Sequence, residues 1–128
     1  MKVVRMEIPI YCGALHIVFS EDVQKDKEAI NKKFDGSIDN KSDFCAQTDS
    51  RKNHFLVIFN MKNIKIEKDE SDLIETIAHE ALHLTSFIFN RKGILPDTDN
   101  DEPQAYLLGW LSAQIYKTYL KFKHDKTV

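Results

Sequence analysis

The segment His79-Glu80-Ala81-Leu82-His83 puts two imidazoles and a carboxylate within reach of one ion. On a helix, four steps of about 100° return the second histidine to within roughly 40° of the first, about 6 Å further along. Both rings then project to one side and can share a divalent cation. Zinc takes neutral imidazole nitrogen readily, and a catalytic zinc keeps three protein ligands plus water. Glu80 follows the first histidine and is placed to act as general base toward that water, whose pKa a bound zinc draws down to about 7.

A third ligand is needed, and Glu102 is the leading candidate. The eighteen residues at positions 84 to 101 suffice to finish one helix, turn and begin an antiparallel neighbour. Ala105 and Gly109 follow at helical spacing, small enough to let the two helices approach closely. Asp101 and Asp99 are the alternatives. Without a metal, Glu102 reads as a first-turn acid favoured by the helix dipole, and His79 and His83 as two satisfied core histidines. Tyr106 is a weaker catalytic candidate. Its hydroxyl suits a developing oxyanion, although an aromatic at this spacing more often belongs to the core. His16 and His54 fall in strands, where either lines the site or plays a structural or surface role. His124 lies in a charged tail, and Trp110 reads as packing.

The elements that must position these groups are legible. Val4, Met6, Ile8 and Ile10 alternate along a half-buried strand, and Leu15 to Phe19 reads as a second strand after Gly13. Ser20 is the expected N-cap of a helix over Glu21 to Phe34, with Val23, Ile30 and Phe34 inward. Positions 35 to 43 read as a loop. Phe44 to Thr48 and His54 to Phe59 form two strands around a turn at Asp49 to Lys52. The unbroken apolar run Phe55 to Phe59 predicts a strand covered on both faces, and Ile64 and Ile66 add a short extended piece. Ser71 is the expected cap of the helix carrying the histidines. Leu73, Ile74, Ile77, Ala78, Ala81, Leu82, Leu84, Ile88 and Phe89 cover most of its surface, which predicts burial nearly all round. His79, Glu80 and His83 would then be buried polar groups, each costing roughly 1–3 kcal/mol if unanswered. One metal ion would answer all three. Arg91-Lys92-Gly93 ends this helix, and Pro103 opens a last one whose apolar face runs Leu107, Leu108, Leu111, Ile115, Tyr119 and Phe122. The expected architecture is α+β, a small, mainly antiparallel sheet packed on three helices.

Length and composition agree with one domain over residues 1–128, with 122–128 as a solvated tail. A net charge of −2, with Lys and Arg interspersed among Asp and Glu, argues against a nucleic-acid partner. No apolar run approaches the roughly 20 residues of a membrane span, and the N-terminus does not read as a signal peptide. Cys12 and Cys45 form no C-x-x-C motif and read as small buried hydrophobes. The expected compartment is reducing and cytoplasmic.

His79-Glu80-x-x-His83 followed by Glu102 resembles the zincin metallopeptidases, specifically the gluzincin branch, whose third ligand is a glutamate. The stretch Asp101-Glu102-Pro103-Gln104-Ala105-Tyr106-Leu107-Leu108-Gly109-Trp110 also looks like the second helix of small zincin-like proteins common in bacteriophages and prophages. The resemblance spans about Ser71 to Phe122. It implies His79, His83 and Glu102 as zinc ligands, Glu80 as catalytic base, and a peptide or protein substrate lying extended along an exposed sheet edge. The chain departs from relatives of this type in three ways. The metzincin glycine and third histidine are absent, Tyr106 stands where thermolysin-like enzymes carry an acid, and there is no sizeable second domain to wall a cleft. The competing reading is a binding module that keeps a zincin scaffold and grips a host or phage protein without cleaving it.

Overall fold

The computed structural model describes residues 1–35, 46–64 and 70–127. Phe44, Cys45, Ile66 and most of the expected 35–43 loop lie outside these residues.

The apolar run around residue 57 becomes a central strand because both of its faces are covered. Phe55, Val57 and Phe59 point into one core, and Leu56 and Ile58 into another. The elements in chain order are β1 (Lys2–Glu7), β2 (Ala14–Ser20), α1 (Val23–Phe34), β3 (Ala46–Arg51), β4 (His54–Asn60), α2 (Glu70–Arg91) and α3 (Glu102–Thr127). Strands run in the order β1-β2-β4-β3. β1 pairs antiparallel with β2 and β3 antiparallel with β4, while the central pair β2 and β4 is parallel, with Ile17 opposite Val57. The architecture is α+β, with a mixed sheet lying between α1 on one side and α2 with α3 on the other. The larger core joins Leu15, Ile17 and Phe19 of β2 to Leu73, Ile77, Ala81, Leu84 and Ile88 of α2 and to Leu107, Leu111, Ile115 and Tyr119 of α3.

Several boundaries differ from the sequence expectation. β1 stops at Glu7, and Ile10 lies in the following turn with φ 72° and 88 % of its surface exposed, off the expected apolar face. A β-branched residue in the left-handed region is rare, and it is held here between the Ile8 N–H to Gly13 carbonyl bond and the Tyr11 N–H to Pro9 carbonyl bond. Gly13 is required by close approach: a Cβ there would meet the Asn53 carbonyl oxygen and the Phe55 ring at 3.1 Å each. Cys12 is exposed, not buried.

Asp22, not Ser20, caps α1, accepting from the Gln24 N–H. Ser20 remains in β2 because it pairs with Asn60, and its hydroxyl instead donates to Asp26 at 2.6 Å. The β3–β4 turn is tighter than expected. Arg51 already pairs with His54, leaving Lys52 and Asn53 as the turn, with Lys52 at φ 56°. Ile64 follows a single 3-10 turn, Met61–Asn63, rather than extending a strand. α2 begins at Glu70, so Ser71 sits inside its first turn.

Gly93, at φ 70°, ends α2 as expected, with the Ile94 N–H bonding the Phe89 carbonyl. The charged C-terminal residues continue α3 to Thr127 with His124, Asp125 and Lys126 exposed, while Phe122 stacks on Phe19 at 4.2 Å and Lys126 pairs with Glu21. Among the described residues no helix is long and apolar enough to cross a membrane.

Candidate functional site

α2 is amphipathic, not buried all round. Leu73, Ile77, Ala81, Leu84 and Ile88 face the core, whereas Ile74, Ala78, His79, Leu82 and His83 are exposed. Of the three polar residues in the motif only Glu80 is buried, at 7 % exposure. The expectation of three buried polar groups demanding one metal therefore gives way to a different arrangement: an exposed imidazole pair beside a sunken carboxylate.

The pair converges as the four-residue spacing requires. The Nε2 atoms of His79 and His83 are 3.1 Å apart, with ring centroids 4.7 Å apart and the rings set edge to face. A tetrahedral zinc with bonds of about 2.0–2.1 Å holds two ligand nitrogens about 3.3 Å apart, so the pair needs only slight opening to grip such an ion.

Glu80, next to His79, turns inward toward β3, the edge strand among the described residues, where the Thr48 hydroxyl hydrogen-bonds it. Burial pushes its carboxyl above the usual carboxylate range, partly offset by nearby His79 and by the Thr48 bond. A carboxylate displaced in that direction is better matched to proton exchange near neutrality. Beside it a hollow of ≈ 440 Å³ runs between the end of the sheet and α2. Ala46, Phe59, Ile64 and Leu73 contribute its apolar surface, and His79 and Glu80 lie on its border with Asp72 and Glu75. Thr48 and this hollow had no signal in the sequence, because both arise from the packing of β3 on α2.

The acids of the second segment lie before α3 and at its first residue. The Tyr116 hydroxyl donates to Glu70, Ser112 and Ala113 border Ile77 and Ala78, and both Phe89 and the start of α3 adjoin Tyr11. α3 therefore runs antiparallel to α2, with Glu102 level with the last turns of α2, beyond His83. Glu102, Asp101 and Asp99 are exposed. Among the described residues no three His, Cys, Asp or Glu side chains form a group able to hold a metal ion.

Gly109 does not mediate close helix packing, since it is exposed and a Cβ there would meet nothing within 4 Å. Tyr106 is neither core nor beside the imidazoles. It is 76 % exposed and borders a separate hollow with Pro9, Tyr11 and Trp110. His16 and His54 do not line the site either. They meet across β2 and β4 on the α1 face, with His16 Nε2 and His54 Nδ1 2.9 Å apart.

The chain matches no protein-family model, no curated protein and no solved structure.

Proposed function

We propose that the chain is a zinc-dependent peptidase of the zincin type, in which His79 and His83 hold the metal, Glu102 completes the set, and Glu80 is the general base. Asp101 and Asp99 are the alternatives for the third position. The observation that carries this reading is the convergence of two exposed imidazole nitrogens at 3.1 Å beside a buried carboxylate of raised pKa. A bound zinc would supply Lewis acidity to a peptide carbonyl and acidity to a water molecule.

Glu80 takes the proton of the attacking water as its oxygen adds to the carbonyl carbon, then passes that proton to the nitrogen as the C–N bond breaks. Burial makes it a stronger base than a free carboxylate, and Thr48 fixes its orientation. β3 is an edge strand beside Glu80, so its outer backbone groups can pair with an extended peptide. The apolar hollow next to His79 would take one substrate side chain.

Stoichiometric zinc, with peptide-library cleavage by the wild type that Glu80→Gln reduces by about 10²–10⁴-fold, is the expected result. Equal cleavage by both proteins ends the catalytic claim.

The competing reading is a non-cleaving module that keeps the scaffold and grips a host or phage protein. That reading expects a pull-down partner retained by Glu80→Gln, with no cleavage fragments.

A further inference from the structure

A cleft of ≈ 460 Å³ opens on the α1 side of the sheet, the face opposite Glu80. Lys33, Arg51, Lys52 and the His16–His54 pair line it, and Phe34 forms an apolar wall. Asp35, exposed at the left-handed end of α1, is the one carboxylate on this lining among the described residues.

Two polar side chains here are more than nine-tenths buried and incompletely partnered. Arg51, whose side chain is 8 % exposed, donates through Nε and Nη2 to Asp49 at 2.9 Å and through Nη2 to Asn31 at 3.3 Å. Its Nη1 is buried and has no partner. His16, 5 % exposed, meets His54 through Nε2, and its Nδ1 is likewise buried without a partner. Leaving a buried polar group unanswered carries a substantial desolvation penalty, and both residues line this cleft, where a small opening would give each atom a partner. The local field is positive. His16 is held down to about 4 by burial first, then by His54, Arg5 and Lys33.

We propose that this cleft binds a small phosphomonoester through its phosphate group. Two lysines, a guanidinium with a spare nitrogen and an imidazole outnumber the two oxygens of a carboxylate. They suit a group with three acceptor oxygens and a charge of about −1.5 to −2. Asp49 and Asn31 hold the Nε and Nη2 side of the guanidinium, so Nη1 is the charged donor left for a phosphate oxygen. The cleft is far larger than a bare ion, and the Phe34 wall gives the organic part of an ester a surface to lie on. An anion also selects one tautomer of the pair: with His54 Nδ1–H donating to His16 Nε2, the His16 Nδ1–H becomes a donor free for a phosphate oxygen.

The test is to follow the imidazole nitrogens by NMR at neutral pH while adding inorganic phosphate, phenyl phosphate or acetate. Saturable shifts of His16 and His54, with phenyl phosphate binding more tightly than inorganic phosphate, are expected, while His79 and His83 stay unmoved. Lys33→Glu combined with Lys52→Glu changes two exposed side chains and should weaken binding by about tenfold or more. Unmoved signals, an equal response to acetate, or undiminished binding by the double variant overturns the site. Binding of inorganic phosphate alone overturns the ester and leaves free phosphate as ligand.

Discussion

His79–His83 and His16–His54 have nearly the same nitrogen separation, 3.1 and 2.9 Å, in opposite surroundings. The first pair stands on the open face of α2, exposed to water, with a buried carboxylate alongside. The second bridges parallel strands against Phe34, with His16 buried and within reach of the charges of Arg5 and Lys33. Proximity of two imidazoles therefore has no fixed chemical meaning. An exposed pair can open to admit a cation, whereas a pair inside a positive field disfavours one and favours an anion.

The comparison breaks most visibly through metal binding. His79→Ala or His83→Ala is expected to abolish zinc uptake, whereas His54→Ala leaves it intact, as measured by competition with a chromophoric chelator. Equal loss in all three variants would erase the distinction between the pairs.

Acid stability separates them next. His16 has a folded pKa of about 4 against 6.5 ordinarily. Above pH 6.5 both folded and unfolded chains leave it neutral and it contributes no pH dependence. As pH falls from 6.5 to 4 only the unfolded chain takes the proton, so the folded state loses as much as ~3 kcal/mol, and below about 4 the loss stops growing. Urea titrations across this window should show His16→Leu with a flatter pH profile than wild type. An unchanged slope would mean that His16 is protonated alike in both states.

Thr48→Val should act more gently and only on the α2 side. Removing its hydrogen bond takes away one influence that lowers the Glu80 pKa, so the acid limb of the cleavage profile moves to higher pH. A profile that moves to lower pH would contradict the hydrogen bond's role.

The smallest effect belongs to Gly109→Ala. The position is helical, exposed and open, so a methyl should stabilise the protein by about 0.5–1 kcal/mol, read as a higher melting temperature. Destabilisation would restore the idea that α2 and α3 need a small residue there.

Much of this architecture is written locally. The period of Val4, Met6 and Ile8, the apolar run at Phe55–Phe59, the stop at Gly93 and the inward face from Leu107 to Tyr119 all follow from short-range pattern. Of the boundaries that moved, Ser20 stays in a strand because Asn60, distant in the chain, lies opposite it, whereas the β3–β4 turn tightens locally because Arg51 already pairs with His54.

The same division runs through the candidate sites. The four-residue spacing of His79 and His83 on a helix determined that their rings would converge, since helical geometry alone sets the angle between them. Which of the motif's polar groups would be buried was decided by the tertiary structure. Only the rotation of α2 about its axis, fixed by the fit of Leu73, Ile77, Ala81 and Leu84 into the core, turns Glu80 inward to Thr48 and leaves the histidines in water. His16 and His54, far apart in the chain, meet only because β2 and β4 lie side by side in parallel, a long-range pairing that no local period encodes.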